Sequence, residues 1–204
     1  MKNIFLTLML LLSVCSASAQ LIKPKEQREQ ATIDAKYLAG AAPLRDGKVV
    51  FSRDINLPDA IPADSVYDVL HKWMGRYFNA RREVLKRLDL GSNRDKAFLK
   101  LGVVKMLTFR KSAFVLDRTQ IIYNFSMQVV DRTVKVSMDS ISYYYDAERD
   151  PIRYTAEEWI SDETALTKDK TDIYRKRRKF RIKTIDLFDT TCKSLTRELS
   201  LYGR

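Results

Sequence analysis

The chain has 204 residues, 45% of them hydrophobic, and a formal net charge of +11. That length and apolar fraction suit one domain with its own core. A single His and 2 Cys exclude the usual transition-metal spacings and a disulfide framework, and 6 Gly leave little scope for a glycine-rich phosphate cradle.

The chain opens MKNIFLTLMLLLSVCSASAQ. Lys2 supplies a positive start, residues 4–14 are nearly all apolar, and Ala17-Ser18-Ala19 has the small-x-small form that a signal peptidase cuts. The expectation is a secretory signal peptide over residues 1–19, cleaved between Ala19 and Gln20. The apolar run is about half the roughly 20 residues of a bilayer span, so the mature chain is expected to carry no transmembrane segment. Leu12-Ser13-Val14-Cys15 offers an alternative, a lipid anchor at Cys15, although Val14 is larger than the residue that normally precedes such a Cys. Either way the protein is expected outside the cytoplasm, periplasmic or envelope-associated. Without Cys15, Cys192 has no intramolecular partner, and the apolar core must hold the fold.

Residues 20–46 are polar and weakly patterned and read as a linker or arm; Gly47 marks the change. Residues 48–58 alternate, with Val49, Phe51, Ile55 and Leu57 on one face, which predicts a half-buried strand ended by Pro58. Val66, Val69, Leu70, Trp73, Tyr77, Val84 and Leu88 follow at steps of three, four and seven and predict one long helix up to the break at Gly91-Ser92-Asn93. Residues 103–109 and 113–116 are short strand-like runs. Ile121, Tyr123, Phe125, Met127 and Val129 alternate with Asn124, Ser126 and Gln128, a strand with one polar face. Asp131-Arg132 is a tight connection. On the return strand the apolar phase moves from even positions (Val134, Val136, Met138) to odd ones (Ile141, Tyr143, Tyr145), which predicts a β-bulge near Asp139-Ser140. Thr155 and Glu158 have capping-box spacing before a short helix to about Leu166. Phe188, Cys192, Leu195 and Leu199 predict a last helix over 186–201. The order is α+β: helices packed on one face of a curved antiparallel sheet, in a single domain over 47–204, with a basic helical excursion at about 155–183.

GKVVFSRDINLP followed by SVYDVLHKW resembles the start of a family of exported bacterial proteins known as a domain of unknown function with a TBP-like fold, and AEEWISDETAL and KFRIKTIDLFDTTCKSL resemble segments that follow that domain. The resemblance covers roughly residues 48–201. It implies a curved antiparallel sheet backed by two helices. It implies no activity and carries over no site residues.

No catalytic signature stands out, and no cofactor is called for. His71 reads as a surface residue of the long helix and Cys192 as a packing residue rather than an exposed nucleophile. Glu158 reads as a cap; Glu157, Asp162 and Glu163 read as a solvated helix face; Asp186 and Asp189 read as complements to a helix dipole. Of Tyr143-Tyr144-Tyr145, the outer two are expected in the core and Tyr144 in solvent. The feature left over is charge. Residues 168–183 hold nine basic against two acidic residues, and a chain that needed only solubility would spread them. Arg175, Lys176, Arg177, Arg178, Lys179, Arg181 and Lys183 are therefore the candidate contact for an anionic envelope surface or an acidic partner protein, with no sequence-specific nucleic-acid role. The competing reading is a solvated face whose stems cover Phe180 and Ile182. A non-enzymatic structural or interaction module is the leading expectation. The alternatives are a lipid or glycan carrier with a pocket between sheet and helices, and a hydrolase built on two carboxylates.

Overall fold

The computed structural model describes residues 33–113, 115–145 and 151–203. The expected signal peptide, the Ala19-Gln20 cleavage point, Cys15 and the first part of the arm lie outside the described residues.

A small hairpin, β1 (Leu44–Arg45) with β2 (Lys48–Val49), precedes the main sheet. Asp46 and Gly47 turn it, both with positive φ (50° and 72°), which a two-residue hairpin turn of this hand requires. The main sheet comprises β3 (Phe51–Asn56), β4 (Val84–Asp89), β5 (Phe98–Lys111), β6 (Leu116–Val130), β7 (Thr133–Tyr145) and β8 (Ile152–Thr155). Its order is β3-β7-β6-β5-β4, all neighbours antiparallel, with β8 beside β3 along β7. Helix α1 (Val66–Asn79) and the long helix α4 (Arg175–Ser200) cover one face; two single-turn helices, α2 (Ala156–Trp159) and α3 (Asp162–Ala165), lie between β8 and α4. The α+β class and the helices on one face are as expected.

Alternation decides which side chains meet the helices. Ile121, Tyr123, Phe125 and Met127 of β6 and Val134, Val136 and Met138 of β7 are buried. Trp73 and Phe78 of α1 meet the Phe125 ring at 6.2 and 5.5 Å, and Phe188 and Phe180 of α4 meet Phe51 and Tyr143 at 5.6 and 5.1 Å. Tyr77 and Thr191 join the two helices through a hydroxyl hydrogen bond of 2.9 Å. The opposite face is polar, with Ser126 bonded to Ser137 at 2.7 Å and Asn124 donating to Asp139 at 3.3 Å. The predicted bulge is present. Between the pairs Ile122↔Ser142 and Asn124↔Asp139, two residues of β7, Ser140 and Ile141, oppose Tyr123, and Ser140 has φ 54°. Asp131 and Arg132 form the tight turn, both at positive φ.

Three expectations are corrected. The long helix stops at Asn79, and Val84 and Leu88 belong to the edge strand β4. Apolar residues seven apart fit a helix, but Asn79 and the charged Arg81-Arg82-Glu83 interrupt the stripe, and β4 leaves Leu85 and Leu88 more than half exposed. The run 103–109 lies inside β5, one of the two longest strands, whereas of 113–116 only Leu116 enters a strand, the start of β6, and residue 114 lies outside the described residues. The basic run is no excursion ahead of a helix from Asp186: it forms the first turns of α4, a 26-residue helix.

The arm is also partly structured. Ala42 is fully buried, Asp34 caps a 3₁₀ turn at Ala35–Tyr37, and the Asp162 carboxylate accepts the N–H groups of Gly40 and Ala42 at 2.6 and 3.0 Å.

Candidate anion-binding face

Helical periodicity sorts the candidate cations. At 100° per residue, Phe180, Arg181, Thr184, Ile185, Phe188, Cys192, Leu195 and Leu199 point to the sheet and are buried. Arg181 is 0% exposed. Its guanidinium donates to the carbonyls of Tyr37, Leu38 and Ile160 and to Asp162 Oδ1, at 2.5 to 2.6 Å. It locks the arm to α4 and is removed from the anion-contact set, because it is sealed from solvent and four of its five N–H groups already donate within the fold. The reading of Asp162 as a solvated residue is corrected by the same network.

Three further cations are engaged. Lys179 Nζ donates to both oxygens of Asp117, at 3.0 and 2.8 Å, and to the Tyr145 hydroxyl at 2.9 Å, and lies over the Phe109 and Tyr145 rings. Partial burial pulls its pKa down, but Asp117 and Tyr145 outweigh this and hold it above the ordinary lysine value. Arg178 makes an ion pair with Asp172 at 2.8 Å. Arg177 is half-buried, its guanidinium 5.3 Å from the Trp159 ring centre, and Trp159 stacks on Tyr154 at 3.9 Å.

Arg175, Lys176 and Lys183 remain, all exposed on the outer side of α4. The sequence reading missed that this side continues: Lys193 and Arg197 are exposed on it as well. At 1.5 Å per residue, Arg175 to Arg197 spans about 33 Å, interrupted by Asp186. The missed signal was phase, since both positions face away from the Phe188-Cys192-Leu195-Leu199 stripe. Lys168 and Lys170, in the loop before α4, are exposed too.

The placement opposes helix stability. The first turn of α4 has no acidic residue, and its N-cap, Tyr174, makes no side-chain capping bond. The helix dipole puts partial positive charge where Arg175, Lys176, Arg177 and Arg178 already sit, so each exposed cation there costs about 0.3–1 kcal/mol. In the same neighbourhood the buried donors Trp159 Nε1 and Arg178 Nε have no partner among the described residues. The exposed cations Arg175 and Lys176 at a helix start form a combination that attracts anions.

The remaining candidates have structural work. His71 is exposed and stacks on Tyr67 at 5.9 Å. Cys192 is 0% exposed, and burial pushes its thiol up to about 11. Tyr143 is buried with its hydroxyl on Thr184 at 2.7 Å, Tyr145 is half-buried and Tyr144 exposed. Glu158 closes the capping box with Thr155, and the Thr155 hydroxyl and N–H hold its carboxyl below the ordinary value. Glu157 accepts the Val49 N–H, Asp186 bonds Lys36 and Tyr37, and Asp189 pairs with Arg53. Asp186 and Asp189 lie in mid-helix, so the expectation that they offset the dipole at a helix start is corrected. Glu163 is exposed. Among the described residues no three His, Cys, Asp or Glu side chains gather as a metal site, and no helix is long and apolar enough to cross a membrane.

Residues 51–144 match the family described as a domain of unknown function (DUF4468) with TBP-like fold. A crystal structure of a DUF4468 family protein from Bacteroides ovatus is 31% identical, with TM-score 0.72, over 82% of this chain and 95% of that one. The chain belongs to the DUF4468 family. A TBP-like protein from Parabacteroides distasonis, at 16% identity and TM-score 0.59 over 78% of this chain and 97% of that one, shares the fold. No curated protein matches. The DUF4468 match of residues 51–144 covers β3 to β7; α4 and its cations follow it in the chain.

Proposed function

We propose that this DUF4468 protein is a non-catalytic exported module that attaches to anionic envelope material through the outer side of α4. Arg175, Lys176 and Lys183 form the centre of the contact, Lys193 and Arg197 extend it, and Lys168 and Lys170 border it. The carrying observation is the concentration of exposed cations at a helix start, where the dipole disfavours them and where the first turn holds no acidic residue. Such a surface binds polyanions by charge and counterion release, without reading their sequence. An acidic envelope protein would meet it through the same groups. The apolar leader of the sequence supports export.

Retention on vesicles containing phosphatidylglycerol, against vesicles of phosphatidylcholine alone, tests the reading. The protein is expected to sediment with the anionic vesicles at low salt and to be released as salt rises. The variant Arg175→Gln/Lys176→Gln/Lys183→Gln is expected to stay in the supernatant. Equal sedimentation of variant and parent would overturn the proposal.

A further inference from the structure

A cleft of about 290 Å³ opens between the arm, β3 and α4. Like the pocket between sheet and helices of the carrier reading it is walled by a strand and a helix, but it sits at the edge of the sheet with the arm as its third wall. It runs beside β3, which ends the sheet and has no strand on its other side among the described residues. Its floor is apolar and rigid: Phe51 and Phe188 are buried with their rings 5.6 Å apart, and Ile185 is buried beside them.

The rim carries three cations, Lys36, Arg45 and Arg53. Two are partly neutralised. Lys36 Nζ donates to Asp186 at 3.0 Å, and Arg53 donates to Asp189 at 2.6 Å through Nη2 while its guanidinium lies 5.5 Å from the Phe188 ring centre. Arg45, at the turn end of the β1–β2 hairpin, is exposed, and its guanidinium makes no hydrogen bond or ion pair among the described residues. An apolar floor a ring or two wide, with an unneutralised guanidinium at its lip, matches one ligand chemistry. The apolar body would lie on Phe51, Phe188 and Ile185, and a planar carboxylate would meet the fork of Arg45.

We infer that this cleft binds small monocarboxylates with an aromatic or compact aliphatic body, with Arg45 as the group that selects the charge. The site is separate from the outer side of α4 and does not depend on the attachment proposed there. The cleft is held open by the lock described above: Arg181 fixes the carbonyls of Tyr37 and Leu38, and Asp162 fixes the N–H groups of Gly40 and Ala42, so the arm's wall is set before any ligand arrives.

Fluorine NMR of 4-(trifluoromethyl)benzoate with the purified protein tests this, with the uncharged 4-(trifluoromethyl)benzamide as its neutral counterpart. The benzoate is expected to bind saturably and the benzamide more weakly. Arg45→Gln, a surface change, should weaken the benzoate about fivefold, as loss of one exposed ion pair does, and leave the benzamide unchanged. Arg175→Gln/Lys176→Gln/Lys183→Gln should bind the benzoate like the parent. The inference is overturned if the benzoate does not bind, if Arg45→Gln binds it as tightly as the parent, or if only the α4 variant loses it.

Discussion

Lys176 and Arg181 lie five positions apart in one run of positive charge and have opposite surroundings. Lys176 is exposed, whereas Arg181 is sealed under the arm with its guanidinium filled by three carbonyls and a carboxylate. Five residues on a helix are 500°, or 140° beyond a full turn, enough to carry a side chain from solvent to core. Charge density along a sequence therefore overstates charge density on a surface. Of seven cations in the run, Arg181 is structural, Arg178 and Lys179 are paired, Arg177 covers a tryptophan, and Arg175, Lys176 and Lys183 face outward.

The sharpest way to break this division is Arg181→Met. It takes the cation from the Asp162 carboxylate, which keeps only the Gly40 and Ala42 N–H groups, and the guanidinium donors from three carbonyls, so it should destabilise the fold by about 3–5 kcal/mol. In a domain of this size that lowers the thermal midpoint by about 10 °C. A calorimetric midpoint close to the parent's would mean that Arg181 is not a lock.

Next comes Tyr143→Phe, which leaves the fully buried Thr184 hydroxyl without its tyrosine partner. Chemical denaturation should show a loss of about 1–2 kcal/mol. An unchanged midpoint would place the packing of α4 on the sheet in apolar contact alone.

Acid comes third. Asp89 is held below the ordinary carboxyl range by the N–H groups of Ser92 and then Gly91, and Glu158 by Thr155. A depressed carboxyl contributes stability that is present above its unfolded pKa and lost as pH falls through its lower folded value. The thermal midpoint should thus decline below about pH 4, and Asp89→Asn should decline less steeply over that window. An equal slope in the variant would remove Asp89 from the account.

The smallest effect on stability is expected from the outward cations. Arg175→Gln/Lys176→Gln relieves repulsion with the helix dipole and should leave the midpoint unchanged or raise stability by a few tenths of a kcal/mol. A clear loss of stability would show that these residues hold the fold and would weaken their assignment as a contact.

The sheet was well legible in the sequence because alternation is read locally. Ile121 to Val129 announced a strand with one polar face, and the phase slip at Ser140 announced a bulge that the register confirms. The end of α1 was not legible, because Val84 and Leu88 keep helical spacing and the edge strand β4 buries little to distinguish itself. The start of α4 was missed for another reason. Charged residues hide an apolar stripe, and Tyr174 gives no capping signal. Carrying Phe188 back by threes and fours reaches Ile185 and then Arg181, so the burial of Arg181 could have been read from phase. Its partners could not, since Asp162 and the carbonyls of Tyr37 and Leu38 are brought there by the tertiary fold.

Cosedimentation with purified envelope fractions across a salt series decides whether the outer side of α4 is an attachment surface. The parent would run beside Arg175→Gln/Lys176→Gln/Lys183→Gln and a charge-matched control, Lys86→Gln/Arg87→Gln/Lys135→Gln, whose cations are exposed on the sheet. The parent and the control are expected to be retained in a salt-sensitive way and the α4 variant to be lost. Equal retention of the two variants would contradict this and leave the first turns of α4 as a solvated surface.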